Sequence, residues 1–235
     1  IAGGYIINSF YDSEKDLINR PIKSTLDRLV SQNTKLSFYF ILNFIAVIMA
    51  SYVSFKAVAF FSIYIFGIWF YSHKLKRLPF IGNLTSAILS ITPFFAIFLY
   101  YKNFETVIFV HAVFLFIMIA MRELTKDLEN IKGDIAQNYV TIPVAYGEKT
   151  SKVMLTVLAA LTLIPTYLLL FYFEVGYMYF FFYLSLLLLV VFLFLLWMSK
   201  TKIHYLILHN ILKFIILAGV FSILLIDVSV ILNRI

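Results

Sequence analysis

The stretch YMYFFFYLSLLLLVVFLFLLWM, residues 177–198, carries no charged side chain along its whole length. A helix needs about 20 mostly apolar residues to cross the hydrocarbon core of a bilayer. Inside lipid, a helix also satisfies its own backbone hydrogen bonds. The apolar region of a secretory signal peptide is shorter and lies at the N-terminus. The stretch therefore predicts a membrane-spanning helix.

The rest of the chain follows the same pattern. Hydrophobic residues make up 63% of the sequence and charged residues 13%, whereas soluble domains contain about 45–50% apolar and about 25% charged residues. Seven segments are long enough to span a bilayer: residues 36–54, 57–72, 84–101, 104–121, 153–173, 175–198 and 205–232. The sequence predicts an all-α integral membrane protein with a single transmembrane domain over residues 1–235.

The opening segment IAGGYII, residues 1–7, is apolar but too short to span a bilayer. We interpret it as the end of a helix whose beginning is missing, together with whatever precedes that helix. With this segment, the expected number of helices is eight.

The connections between the spans alternate between long and very short, and the basic residues follow the long ones. Most of the 19 Lys and Arg residues lie in residues 8–35, 73–83, 122–152 and 199–204. Loops rich in Lys and Arg stay on the cytoplasmic side of a membrane, so we expect these loops in the cytoplasm. Membrane topology then explains most of the net charge of +7 without a nucleic-acid partner.

Two of the long loops carry acidic and amide side chains at helical spacing. The first set consists of Asn8, Asp12 and Asp16, and the second set consists of Glu123, Asp127, Asn130 and Asp134. Residues three or four apart share one face of a helix, although Gly133 is a candidate for a helix end just before Asp134. Both sets follow spans that run in the same direction. We therefore expect the two sets to face one another at one side of the membrane.

Facing carboxylates repel one another unless a cation lies between them. Mg²⁺ is usually held by a few carboxylates together with water and substrate phosphates. The ligands that we assign to it are Asn8, Asp12, Asp16, Asp127, Asn130 and Asp134. The alternative is that both sets are solvated residues at the membrane edge, as most single charged residues are. Lys15 and Glu129 are interpreted in that way, as solvated surface charges.

A basic segment, YSHKLKRLPFIGN at residues 71–83, lies between the two acidic sets. Its cations are Lys74, Lys76 and Arg77, for which an ordinary role in membrane topology is the alternative. Beside a metal site they suit a polyanion, because charge-assisted hydrogen bonds to phosphate are strong. Arg20 and Lys126 are two further basic residues that we assign to diphosphate binding.

Acidic sets, basic residues and many aromatic side chains together suit a diphosphate with a long hydrocarbon tail. Mg²⁺ would neutralise the diphosphate as it leaves. Aromatic faces would stabilise an allylic carbocation, and a dry pocket would limit its capture by water. We therefore expect Asp12, Asp16 and Asp134 to be the catalytic residues of a prenyl transfer.

The chain resembles the UbiA-type membrane prenyltransferases in helix order and loop placement over nearly its whole length. The family's first motif, N-x-x-x-D-x-x-x-D, is met by the first acidic set, and INRP at residues 18–21 is also similar. The family's second motif, D-x-x-x-D, falls on Asn130 and Asp134, followed by TIPVAYG at residues 141–147.

The resemblance implies a transmembrane bundle of nine helices, of which eight are visible, with Mg²⁺ as cofactor. It also implies that Lys76 contacts the diphosphate, together with Lys74 or Arg77. Asn130 departs from the pattern because it replaces the first Asp of the second motif. This change removes a charge from the second metal, for which Asp127 or Glu123 would compensate.

The segments RELTKD, residues 122–127, and LKRLPFIGNL, residues 75–84, are similar to one branch of this family. That branch transfers geranylgeranyl from its diphosphate to geranylgeranylglyceryl phosphate, a lipid acceptor in the membrane. Prenylation of an aromatic quinone precursor, 4-hydroxybenzoate or 1,4-dihydroxy-2-naphthoate, is the alternative. A non-catalytic lipid transporter is more distant, because it predicts ionisable residues at mid-membrane. The sequence leaves the prenyl chain length and the oligomeric state open.

Overall fold

The computed structural model describes residues 1–102 and 104–225, without the side chain of Leu99. Within these ranges the chain forms α-helices and short 3₁₀ turns and no strand. The α-helices are α1 Ala2–Tyr11, α2 Ser13–Asn19, α3 Pro21–Asp27, α4 Gln32–Val53, α5 Phe55–His73, α6 Ile81–Tyr101, α7 Thr106–Ala136, α8 Ile142–Leu161, α9 Leu163–Phe171, α10 Tyr179–Met198 and α11 Lys202–Ser222. The 3₁₀ turns are Leu75–Arg77, Gly176–Met178 and Ile223–Leu225.

Seven helical segments of the described chain are long and apolar enough to cross a membrane. They are Gln32–Val53, Phe55–Arg77, Ile81–Phe98, Thr106–Ala136, Ile142–Phe171, Gly176–Met198 and Lys202–Leu225. Each overlaps one predicted span, so the prediction of an all-α, multi-pass membrane protein is confirmed. The last predicted span, residues 205–232, ends outside the described residues.

The chain divides into two compact units. The first unit comprises Ile1–Leu89 and Asn130–Ala145. Within it, α1, α4 and α5 pack against one another in pairs, and α2 packs against α3. The first unit also receives the last turns of α7 and the first residues of α8. It therefore contains the whole first acidic set, the basic segment and the last two members of the second acidic set.

The second unit comprises Ser90–Glu129 and Tyr146–Ile235, and α10 shows how its core forms. One face of α10 buries Phe182, Leu189 and Phe192, while Val190 and Phe194 are each 66% exposed. Buried residues three and seven or more positions apart form a stripe along one helix face. Helix α10 packs against α9 and α11, and Phe182 also contacts Phe114 of α7. We assign the exposed apolar face of α10 to contact with lipid.

A break in α8 occurs at Gly147, the last residue of the TIPVAYG segment. Its backbone has φ 84° and ψ 165°, a region that only glycine occupies readily. The break falls between the mostly apolar residues 142–146 and the polar residues 148–152, which the apolar remainder of the helix follows. Glycine at this position thus lets the chain change direction without strain.

Candidate diphosphate and metal site

The first acidic set lies where α1 gives way to α2. Asp12 separates the two helices with φ −90° and ψ 0°, so the set extends over two short helices. The spacing of four residues survives, because the Asp12 N–H donates to the carbonyl of Asn8 at 2.9 Å. In the same way, the Asp16 N–H donates to the carbonyl of Asp12 at 2.8 Å.

Lys76 lies against the first acidic set. Its Nζ is 2.7 Å from Oδ1 of Asp12 and 3.4 Å from Oδ1 of Asn8. The 3₁₀ turn Leu75–Arg77 holds Lys76 in place, and its side chain is only 6% exposed. The neighbouring Lys74 is exposed. The structure thus brings Lys76, and not Lys74, into contact with the acidic residues.

Asp16 is the less compensated carboxylate of the first set. Burial raises its pKa above the usual range, and the nearby charge of Asp12 raises it further. Lys23, Arg20 and Lys15 lower its pKa by smaller amounts. A carboxylate that is partly desolvated beside a like charge favours binding of a proton or of a cation. Asp16 is therefore suited to ligate a divalent cation.

The second acidic set is continuous with α7, which runs through Gly133 to Ala136. The expectation that Gly133 ends this helix is wrong. Asp134 is fully buried, with its Oδ1 in an ion pair with Lys15 Nζ at 2.5 Å. Its Oδ2 accepts a hydrogen bond from the Thr141 hydroxyl at 3.1 Å. Asn130 is also buried, and its Oδ1 has no hydrogen-bond partner among the described residues.

Asn19 connects the end of α2 with the end of α7. Its amide Nδ2 donates to the carbonyl of Asn130 at 3.3 Å, and its Oδ1 accepts from the N–H of Gly133 at 3.2 Å. A Cβ at position 133 would lie 2.2 Å from Asn19 Nδ2. Glycine at 133 is therefore required by the close approach of Asn19.

Tyr139 lies between two cations in the loop after α7. Its buried ring is 4.8 Å from Lys15 Nζ and 5.1 Å from the guanidinium carbon of Arg77. The adjacent Val140 N–H donates to the carbonyl of Arg77 at 2.9 Å. Burial, followed by the charge of Asp12, raises the pKa of Tyr139 to about 12. The phenol therefore stays neutral, and its ring supports both cations.

Other predicted residues lie elsewhere. Asp127 and Lys126 belong to the part of α7 in the second unit, where Lys126 Nζ is 3.4 Å from Oε2 of Glu123. Glu123 is therefore engaged with a neighbouring cation, as it also is with Arg122 at 3.5 Å. Arg20, at the junction of α2 and α3, is half-buried. Their assignment to metal or diphosphate remains a prediction.

Glu129 differs from its interpretation as a surface charge. It is buried, with Oε2 2.8 Å from Nδ1 of His209, a buried residue of α11. Both residues lie in the second unit. A buried carboxylate needs such a partner to offset the loss of its hydration.

Three residues of the first unit's site are not among the predicted site residues: Lys15, Asn19 and Tyr139. Asn19 lies within the INRP segment, and Tyr139 precedes TIPVAYG, so both stand beside recognised segments. Lys15 lies between Asp12 and Asp16, and this position between two predicted metal ligands is the signal that the sequence offers for it. None of the three stands in a pattern that reveals its partner, because each partner is distant in sequence.

The two acidic sets fit a divalent cation unequally. Within the described residues, no three His, Cys, Asp or Glu side chains form a preassembled metal cluster. The first set offers three oxygen-bearing side chains at regular spacing, those of Asn8, Asp12 and Asp16. Burial and the charge of Asp12 outweigh the nearby cations and raise the pKa of Asp16. This donor set suits Mg²⁺, which prefers carboxylate and carbonyl oxygens. In the first unit, the second set offers one carboxylate, that of Asp134, which is already paired with Lys15, and the neutral amide of Asn130. Its other two members, Glu123 and Asp127, belong to the second unit.

The first unit thus combines membrane-spanning helices with a site of carboxylates and two mostly covered lysines, Lys15 and Lys76. A family model described as the UbiA prenyltransferase family matches residues 1–205. The chain belongs to the UbiA prenyltransferase family. The resemblance that the motifs indicate is thereby confirmed.

Curated relatives extend this result. The digeranylgeranylglyceryl phosphate synthase of Pyrococcus furiosus is 31% identical over 169 residues, which are 71% of this chain and 60% of that protein. The protein of the same name from Methanobrevibacter smithii is 32% identical over 163 residues, or 66% and 57% of the two chains. The chain thus spans about 60% of the length of the curated relatives that it matches.

Solved structures share the fold. A structure described as giving insights into digeranylgeranylglyceryl phosphate synthase in membranes has a TM-score of 0.68 at 23% identity, covering 94% of this chain and 79% of that one. A UbiA homologue from Archaeoglobus fulgidus, bound to GPP and Mg²⁺, has a TM-score of 0.68 at 15% identity, covering 94% and 83%. These similarities establish the UbiA-type transmembrane helical fold.

Proposed function

We propose that the protein transfers a prenyl group, geranylgeranyl, from its allylic diphosphate to a lipid acceptor in the membrane, geranylgeranylglyceryl phosphate. The observation that carries this proposal is the contact of Lys76 with Asn8 and Asp12 in a chain of the UbiA family. The relatives named as digeranylgeranylglyceryl phosphate synthases support the choice of acceptor. The site-bearing loops are assigned to the cytoplasmic side, from the distribution of Lys and Arg.

Asn8, Asp12 and Asp16 are the residues that would hold Mg²⁺, as donors of amide and carboxylate oxygens. Bound there, Mg²⁺ would neutralise the charge that develops on the departing diphosphate. The A. fulgidus homologue, bound to GPP and Mg²⁺, supports this pairing of metal and substrate.

Lys76 and Arg77 are the residues that would bind the diphosphate oxygens. Lys76 lies 2.7 Å from Asp12, so a diphosphate on the metal would also come within reach of its ammonium. Arg77 is held over the Tyr139 ring, which orders its guanidinium before substrate arrives. Charge-assisted hydrogen bonds of this kind are about twice as strong as neutral ones.

The acceptor is tested with purified protein in lipid nanodiscs, labelled geranylgeranyl diphosphate, Mg²⁺ and three acceptors. The acceptors are geranylgeranylglyceryl phosphate, 4-hydroxybenzoate and 1,4-dihydroxy-2-naphthoate. We expect labelled lipid product with the first alone. Product from an aromatic acceptor alone would refute the lipid assignment and leave prenyl transfer intact.

A further inference from the structure

Lys15 of α2 pairs with Asp134 of the second acidic set, a residue predicted to ligate a metal ion. We propose that the Lys15 ammonium takes the place of a second divalent cation, so that the protein binds one divalent cation with each prenyl diphosphate. This inference rests on the proposed function, and it specifies how the same site balances the charge of its substrate.

Both carboxylate oxygens of Asp134 are already engaged by the protein. Oδ1 forms the ion pair with Lys15 Nζ at 2.5 Å, and Oδ2 accepts from the Thr141 hydroxyl at 3.1 Å. Asp134 has no exposure to solvent. A divalent cation at this carboxylate would have to displace the ammonium or share a buried position with it.

Asn130 cannot supply the missing charge. Its side chain is neutral, and its Oδ1, which has no hydrogen-bond partner among the described residues, could serve a cation only as one uncharged ligand. Asp134 and Lys15 together carry no net charge, so this half of the site offers no attraction for a dication. The first acidic set differs, because it contains two carboxylates, Asp12 and Asp16, of which Asp12 pairs with Lys76 at 2.7 Å.

Lys15 is held in place by more than its ion pair. Its side chain is 13% exposed, and its Nζ lies 4.8 Å from the centre of the Tyr139 ring. Tyr139 in turn follows the last turn of α7, where its N–H donates to the carbonyl of Asp134 at 2.8 Å. The loop that carries Tyr139 thus ties Lys15 to the second acidic set.

This position lets Lys15 act on the substrate as well as on Asp134. Lys15 also influences Asp16 of the first set electrostatically, so its ammonium lies near both acidic sets. A lysine is a compact charge with three N–H donors. Beside its ion pair with Asp134, the ammonium would offer N–H donors to the oxygens of a bound diphosphate.

Metal stoichiometry tests the proposal. Mn²⁺ replaces Mg²⁺, and electron paramagnetic resonance counts bound Mn²⁺ in the presence of a non-hydrolysable geranylgeranyl diphosphate analogue. We expect one Mn²⁺ per wild-type chain. We expect two in the double variant Lys15→Met with Asn130→Asp, because it removes the ammonium and restores a second carboxylate. Lys15→Arg, which keeps the charge, is expected to bind one.

The matched control is Lys23→Met, which removes a cation close to the first acidic set and is expected to keep one Mn²⁺. Two Mn²⁺ in the wild-type chain would overturn the proposal, whether or not the double variant folds. One Mn²⁺ in a folded double variant would overturn the role of Lys15. An absence of Mn²⁺ and of analogue binding would instead refute the proposed function, and this inference with it.

Discussion

The contact between Asn19 and Gly133 makes a sharp prediction about the substitution Gly133→Ala. A methyl group at this position would lie 2.2 Å from Nδ2, 2.7 Å from Cγ and 2.9 Å from Oδ1 of Asn19. Asn19 would have to move, and its two hydrogen bonds to the backbone of α7 would break. The end of α2 would then lose its attachment to the second acidic set.

The expected cost follows from three terms. Overpacking a buried position costs about 1–3 kcal/mol, and each lost hydrogen bond costs about 1 kcal/mol. The better helix propensity of Ala returns about 1 kcal/mol. We therefore expect Gly133→Ala to lower the free energy of unfolding by about 2–4 kcal/mol.

The assay is equilibrium unfolding in detergent micelles, followed by circular dichroism. The matched control is Gly67→Ala in α5, where a Cβ would meet only the flexible end of Leu89 at 3.3 Å. We expect the control to change stability by less than about 1 kcal/mol. In an Asn19→Ala background, Gly133→Ala is expected to cost nothing, since its clash is gone. Equal losses in both backgrounds would refute the role given to Asn19.

Three further predictions concern charged residues. Burial raises the folded-state pKa of Asp16, so its stabilising contribution is present below the unfolded pKa and is lost as pH rises through the folded pKa. Asp16→Asn should therefore have a higher Tm than wild type at pH 7 without metal. Its Tm should also rise less than that of wild type when Mg²⁺ is added. Thermal melts with the control Glu14→Gln, at an exposed carboxylate paired with Arg28, check this, and a lower Tm for Asp16→Asn would contradict it. Lys76→Met should weaken binding of geranylgeranyl diphosphate about tenfold or more, since a charge-assisted hydrogen bond is worth about 1.5–3 kcal/mol, whereas Lys74→Met should not. Titration calorimetry measures both affinities, and equal affinities of the two variants would contradict the assignment of Lys76. His209→Ala should destabilise the fold by about 1–3 kcal/mol, because Glu129 loses a buried hydrogen bond, whereas His204→Ala in the exposed first turn of α11 should have little effect in the same unfolding assay.

The membrane helices were predictable because a single physical requirement determines them. Each span must be about 20 apolar residues long, and this requirement acts on consecutive residues, which the sequence displays directly. The span of α10, residues 177–198, needs no information about its neighbours. The two acidic sets were visible for the same reason, because their spacing of three and four residues is local.

The partners of those sets were not predictable from local spacing. Lys15 meets Asp134 from another helix, and the spacing of α2 shows which face Lys15 occupies but not what packs there. Asn19 meets Gly133 across more than a hundred residues. Glycine at 133 suggested a helix end, because helix propensity is visible in sequence whereas close packing against Asn19 is not.

The assignment of the first acidic set to metal-dependent prenyl transfer is tested most directly by diphosphate release. Wild type, Asp12→Asn and the neighbouring control Glu14→Gln are incubated with geranylgeranyl diphosphate and geranylgeranylglyceryl phosphate, with Mg²⁺ or with a chelator. We expect diphosphate release from wild type and Glu14→Gln in Mg²⁺ alone, and none from Asp12→Asn. Release by wild type in the chelator, or full release by Asp12→Asn, would contradict the assignment.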